Sequence, residues 1–332
     1  MYDPLKQKNY VYSGKLGTLI AEFIAEKRAF GYLYNTEAKK LSEFSRITLN
    51  YDFPDNTLTQ EVVESWLTRR STDADKTYYS RFSVIKCFAD YMRRHGFDAF
   101  IPDKADLPNF RTQNYVPYVF SHSEIQRFFA ACFKKRNFRT AYDFRYQTMM
   151  GMIFELLYCC GLRVAEAISL TPADVDLDNG ILTIRFAKFE KSRYIPLSDD
   201  VISDLRRYMS SQVHAPFLFP GRNGQRLNKN SVYEKFRQTL LIANIPHYGR
   251  GTGPRVHDLR HTFACHCLQR WIRNGVPISS ALPRLSTYLG HNTINATEKY
   301  LRMTAEVYPE ISEKLSKDYG DLIPREDENE TN

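Results

Sequence analysis

Between Gly96 and His122 the chain reads GFDAFIPDKADLPNFRTQNYVPYVFSH, with Pro102, Pro108 and Pro117 and no helical period. Proline lacks an N–H, fixes its own φ and disfavours helix at the preceding residue, so this stretch favours extended chain. With helical text on both sides, it marks a boundary near residue 112. A chain of 332 residues is also too long for one comfortable core. The expected organisation is a helical domain over 1–111, a linker over 112–120, a second domain over 121–318, and an acidic, flexible tail over 319–332 that reads PREDENETN near its end.

Before the boundary, Leu16, Leu19, Ile20, Phe23 and Ile24 recur at three- and four-residue spacing, with Glu22, Glu26, Lys27 and Arg28 between them. That pattern predicts an amphipathic helix within 13–34. Further helices are expected over 37–47, from TLTQEVVESW to about 70 with Thr57 or Thr59 as cap, and over 75–95, stopped by Gly96. These helices carry Arg69, Arg70, Lys76, Arg81 and Lys86, interleaved with Tyr78, Tyr79 and Phe82. A solvated helix face accounts for such charges as well as a nucleic-acid surface does.

After the boundary, SHSEIQRFFAACF restarts helix with Ser121 or Ser123 as cap. An apolar helix over 141–160 should close at Gly161, with a short helix following over 164–170. In DVDLDNGILTIRFAKFEKSRYIPLS, Asp178-Asn179-Gly180 is a turn signal, and 181–186 and 193–197 alternate as strands. The fold class is therefore mainly α with a small antiparallel β-sheet.

The formal charge of +8, from 46 Lys and Arg against 38 Asp and Glu, favours polyanionic partners. The six cysteines are scattered without a CxxC pair, which suits reduced thiols. The start, MYDPLKQKNYVYSGKLG, has no apolar signal core, and no window reaches the ~18 apolar residues of a membrane span. A soluble, cytoplasmic protein without a membrane partner is expected.

Four places carry chemistry. In GLRVAEA, Arg163 opens a helix, where the dipole disfavours a cation; an anionic ligand or an ion pair with Glu166 would offset that. The turn FAKFEKSR presents Lys188 and Lys191 between two strands. In HDLRHTFACHCLQRW, His257, Arg260 and His261 fall on one helix face, with Leu259, Phe263, Ala264 and Leu268 free to pack the other. Imidazole and guanidinium together offer a proton carrier and a fork for phosphate oxygens. A metal site at His257, His261 and Cys265 is the rival, but the glutamate of HExxH is missing and the spacing fits no standard zinc finger. A core helix with satisfied histidines is the plainer alternative. In LSTYLGHNTINATEKYLRMT, Gly290 ends one helix, His291 follows, and a new helix carries Tyr300 beside Lys299 and Arg302.

In this order, GLRVAEA, the hairpin lysine, HDLRHTFA, LGH and the tyrosine nine positions later resemble the catalytic domain of the tyrosine recombinases, also called the phage integrase family. The first domain is similar to that family's helical core-binding domain. The resemblance implies a catalytic set of Arg163, Lys188, His257, Arg260, His291 and the nucleophile Tyr300. Two arginines would stabilise the charge of a pentacoordinate phosphorane-like transition state, so neither metal nor cofactor is required. A phenol with a pKa of about 10 needs a proton acceptor, and His257 is the candidate. The resemblance further implies that Lys188 protonates the departing 5′ oxygen and that His291 hydrogen-bonds the scissile phosphate.

The implied function is a site-specific recombinase of integrase or transposase type, working through a 3′-phosphotyrosine intermediate and strand exchange via a Holliday junction. Its partners would be double-stranded DNA with inverted-repeat core sites, a tetramer of its own chain on that DNA, and accessory DNA-bending or partner recombinase proteins. Arg69, Arg70, Lys76, Arg81 and Lys86 would then contact DNA. His261, Cys265, His266 and Cys267 are left as structural. The turn departs from the family with Ala187 where many members have glycine, which keeps Lys191 in contention with Lys188. The long segment CLQRWIRNGVPISSALPRLSTYLGH is more similar to recombinases carried by transposons. A type IB topoisomerase and an inactive DNA-binding regulator are the alternatives.

Overall fold

The structure, a computed structural model, describes residues 7–69, 73, 75–103, 116–134, 140–185, 192–211, 215–249, 253–291, 295–308 and 311. The chain divides into two compact units, the first running to Tyr115 and the second from Val116.

In the first unit, helices α1 (Gly17–Ala29), α2 (Asn35–Ile47), α3 (Gln60–Leu67) and α4 (Asp75–Arg94) enclose a core that includes Leu16, Leu19, Ile20, Phe23, Leu41, Phe44, Trp66, Ile85 and Phe88. The apolar residues read at helical spacing are thus the ones buried, each large side chain contributing about 1.5–3 kcal/mol. Helix α1 is shorter than its periodic stretch because the chain turns at Gly31, where the Tyr32 N–H bonds back to the Lys27 carbonyl at 3.2 Å. Gly96, at φ +82°, ends α4 as expected. A parallel bridge between Leu58 and Ala99 then ties the segment after α4 to the approach of α3.

The basic residues of this unit do not form one class. Lys76 is exposed, Lys86 extends over the Phe82 ring at 5.9 Å, and Arg69 is exposed but paired with Asp75. Arg70 lies outside the described residues. Arg81 does not belong on a DNA-facing surface: it is 5% exposed, donates to Asp73 at 2.6 Å and to the Thr68 carbonyl at 3.2 Å, and covers Trp66 at 5.5 Å. A partner outside the helix, in the segment before it, overrides the surface placement that its basic character suggests.

The second unit begins with α5 (His122–Phe133), whose cap is Ser121 with Glu124 in a reciprocal capping box. The buried helix α6 (Ala141–Cys159) follows, then the single turn α7 (Val164–Ala167), shorter than the 164–170 expected. Strands β1 (Val175–Asp176), β2 (Ile181–Ile184) and β3 (Arg193–Pro196) form an antiparallel sheet in the order β1-β2-β3. Asp178-Asn179-Gly180 turns β1 into β2, with the Asp176 carboxylate accepting from the Asn179 N–H at 3.0 Å. The two-residue β1 was not legible, being too short for alternation to register. In the register Leu182↔Ile195, both partners face the core, as Ile184 does. Helices α8 (Asp199–Ser210) and α9 (Lys229–Ile242) complete a core centred on Phe120, Phe128, Phe154 and Phe236, whose rings meet at 5.4–6.4 Å. A second cluster joins α10 (Asp258–Arg273), α11 (Ile278–Leu289) and α12 (Asn295–Val307) through Leu268, Ile272, Leu285, Leu289 and Met303. Among the described residues, no helix is long and apolar enough to cross a membrane.

Candidate active site

Helix α10 sets the site. Leu259, Ala264 and Leu268 are fully buried on its apolar side, while His257, at the position preceding the helix, and Arg260 and His261 within it share another face.

Arg260 is held inside the fold rather than on its surface. It is 1% exposed and donates to the carbonyl of Gly161 and, at 2.7 Å, to that of Leu289. These acceptors are neutral, so they hold the guanidinium without cancelling its charge. Burial followed by the nearby Arg163 lowers its pKa to about 10, and it remains cationic near neutral pH. The approach depends on Gly161: φ is +59° there, and a Cβ would stand 2.5 Å from the Phe263 ring.

One carboxylate lies at the centre of the arginines. The Glu166 side chain, 8% exposed, accepts from the Arg163 N–H at 2.9 Å and the Arg163 guanidinium at 2.8 Å. It also accepts two bonds from Arg193, at 3.1 and 2.8 Å, and stands 4.0 Å from Arg260. Burial would raise its pKa, but the hydrogen bonds and charge of Arg193, then Arg163 and Arg260, reverse this and hold it at about 2. Three guanidiniums therefore share one carboxylate, and the cluster carries net positive charge. Arg163 keeps 29% of its side chain exposed. Its ion pair with Glu166 and a capacity to meet an anion coexist, since Glu166 engages one nitrogen of a group with five N–H donors.

Gly290, in the left-handed region at φ +64°, caps α11 and delivers His291. The His291 Nδ1 lies 2.8 Å from the hydroxyl of buried Thr297, and Nε2 lies 3.4 Å from Arg260. Burial, then the charges of Arg260 and Arg163, push its pKa down to about 4, leaving a neutral ring. Tyr300, on α12, is 1% exposed. Its ring stacks on His291 at 5.9 Å and 12°, the Lys299 ammonium lies 5.1 Å from its centroid, and its hydroxyl is 3.0 Å from His261 Nδ1. Burial raises the phenol's pKa against the pull of Arg260 and Arg163. His257 is the exposed ring, meeting His261 edge-on at 4.7 Å. Desolvation and the surrounding cations lower its pKa to about 4, an effect that water at this exposed position moderates.

Arg163, His257, Arg260, His291 and Tyr300 thus come together within the second unit; Lys188 and Lys191 lie outside the described residues. Sequence reasoning passed over Arg193 and Thr297 and set His261 aside as structural, though its ring touches the tyrosine hydroxyl. Spacing hinted only at His261, which shares a helix face with His257. His266 is structural, bonded to Tyr158 at 2.9 Å and near the Phe120 carbonyl at 3.1 Å. Among the described residues, no group of three or more His, Cys, Asp or Glu is placed to hold a metal ion. A cationic, partly exposed cluster with a phenol and neutral imidazoles beside it suits nucleophilic attack on a phosphodiester.

The model of the phage integrase family matches residues 119–306. The Sinorhizobium fredii protein y4rB, which carries the name integrase/recombinase, is 31% identical over 309 residues, covering 91% of this chain and 97% of its own. Tyrosine recombinase XerC of Chromobacterium violaceum is 32% identical over 176 residues, 52% of each chain. Among solved structures, the XerH site-specific recombinase bound to palindromic difH substrate has a TM-score of 0.62 at 17% identity, covering 92% of this chain and 90% of that one. The Tn1549 transposon integrase with a circular intermediate DNA has a TM-score of 0.60 at 18% identity, covering 88% and 98%. At such identities the structural likeness is one of fold.

Proposed function

The chain belongs to the phage integrase family, the tyrosine recombinases, and from that premise we propose how its residues cut and rejoin DNA. It is an enzyme of site-specific recombination, with DNA as substrate. Tyr300 attacks the scissile phosphorus, forming a 3′-phosphotyrosine and releasing a 5′ hydroxyl. Arg163 and Arg260 hold the phosphate oxygens and stabilise the charge that grows on them. His291 hydrogen-bonds the same phosphate, His257 acts as acid and base at the site, and Lys188 protonates the departing 5′ oxygen.

The observation that carries this reading is the convergence of Arg163, Arg260, His291 and Tyr300, from three separate stretches, on a cluster whose guanidiniums outnumber its carboxylate. A phosphodiester supplies the missing negative charge. The covalent link conserves the energy of the broken bond, so a 5′ hydroxyl from another strand reverses the step without ATP. Strand exchange then proceeds through a Holliday junction, with four copies of the chain on two inverted-repeat core sites and accessory DNA-bending or partner recombinase proteins assisting. The first unit contributes phosphate contacts through Lys76, Lys86 and Arg69.

The test incubates the protein, with chelator present, with nicked suicide substrates drawn from DNA flanking its gene. An SDS-resistant protein–DNA adduct that disappears in Tyr300→Phe is expected. Specific binding without an adduct would overturn the assignment in favour of a DNA-binding regulator. Exchange of strands between two DNA sites then separates a recombinase from a type IB topoisomerase.

A further inference from the structure

We propose that His261 is a catalytic residue: it, rather than His257, holds the Tyr300 hydroxyl and takes its proton as the phosphate is attacked, which leaves His257 to acid and base work at the phosphate itself. This rests on the reading of Tyr300 as nucleophile.

The geometry is direct. His261 and Tyr300 come from helices α10 and α12 and are 5% and 1% exposed, respectively. Tyr300 Oη and His261 Nδ1 are 3.0 Å apart. In the proposed role the Tyr300 hydroxyl donates, Nδ1 accepts and the ring's hydrogen sits on Nε2. His257, the residue assigned to proton transfer from sequence, stands one helical turn earlier with its ring edge-on to His261 at 4.7 Å. The two imidazoles lead from a buried phenol to an exposed ring, and the one nearer the reacting oxygen is His261.

The groups around His261 suit the task. His257 and Arg260 face it from its own helix, His291 from the end of α11, and Lys299 and Tyr300 from α12. Burial, with the charges of Lys299 and Arg260, keeps the ring neutral in the free protein, the state a proton acceptor needs before attack. A DNA phosphate docked on Arg163 and Arg260 offsets that positive field and raises the ring's affinity for a proton at the step that releases one.

In the step itself, the Tyr300 O–H bond breaks and its proton passes to His261 Nδ1, while a phenolic oxygen lone pair forms the bond to phosphorus. The bond from phosphorus to the 5′ oxygen breaks, and that oxygen takes a proton from a separate acid, the role proposed for Lys188. On rejoining, His261 returns the proton to Tyr300.

Single-turnover cleavage of the suicide substrate by full-length protein tests this in the wild type, Tyr300→Phe, His261→Ala and His261→Asn. Asparagine sets a carboxamide oxygen near the place of Nδ1, keeping the hydrogen bond but accepting no proton. The asparagine variant should bind DNA and unfold as the wild type does, yet cleave on the order of 10²-fold more slowly. Replacing Tyr300 with the more acidic 3,5-difluorotyrosine should restore most of that loss. If His261→Asn cleaves at the wild-type rate, or if fluorination restores nothing, His261 merely supports the fold and the proposal fails. Should His261→Ala fail to fold, the asparagine variant carries the test. No adduct from the wild type, or an adduct from Tyr300→Phe, instead overturns the nucleophile assignment and this proposal with it.

Discussion

Arg81 in the first unit and Arg260 in the second are both buried arginines, and their surroundings differ in kind. Arg81 meets Asp73 at 2.6 Å while lying over Trp66, a pair without net charge. Arg260 rests on carbonyl oxygens and reaches a carboxylate at 4.0 Å that Arg163 and Arg193 already occupy. Burying charge is costly unless it is paired. A balanced pair is what a fold needs to stay closed, whereas a surplus of buried cations leaves the free molecule short of an anion.

The largest effect should come from removing the one carboxylate. Glu166→Gln leaves three guanidiniums facing one another and should cost about 3–5 kcal/mol of stability, measured by chemical unfolding through Trp271 fluorescence. Sulfate should recover more of that loss than it adds to the wild type; equal gains would break the contrast between the two units. Next, Arg163→Lys keeps the charge but loses the planar fork, and cleavage should fall by about 10²–10³ with little change in unfolding midpoint.

Acid should separate the units. Folded-state pKa values fall below 6.5 for His266 and His291, each at about 4, and for His261, at about 2, with exposed His257 lowered less. In this window the unfolded chain binds more protons than the folded one, so the stability these groups contribute is present above pH 6.5 and lost as pH falls towards 4. Glu166 extends the loss from about 4.5 downward. The first unit has His95 alone. With Trp66→Phe reporting on the second unit and Trp271→Phe on the first, the second should unfold at the higher pH; coincident transitions would count against the contrast.

Smaller still is the expected result at the balanced pair. Arg81→Met alone should destabilise the first unit, while Arg81→Met with Asp73→Asn should recover much of the loss. Smallest, Lys76→Ala should weaken DNA binding a few-fold and reduce the salt slope by about 1, read from binding at several salt concentrations.

Local pattern made the helices legible. Leu16 to Ile24 announced α1 by spacing alone, and Asp178-Asn179-Gly180 announced a turn because it carries its own chemistry. The ends were less legible, since α1 stops at a turn about Gly31 and α7 after a single turn. Residue types at fixed spacing brought Arg163, His257, Arg260, His291 and Tyr300 forward through family resemblance. Arg193 and His261 escaped because their partners lie 27 and 39 positions away, and contacts at such separation leave no local trace. Arg81 misled for the opposite reason: a basic residue between aromatics reads the same whether it faces solvent or closes a core.

The shared carboxylate also has a consequence for descent. Arg163, Glu166, Arg193 and Arg260 draw on one another closely enough to form a single heritable trait, although they lie on three separate stretches of the gene. A lineage that drifts at Glu166 relaxes selection on its three partners at once. Decay of this enzyme should therefore be abrupt along a genealogy, with the four positions lost as a group while the apolar framework around them persists.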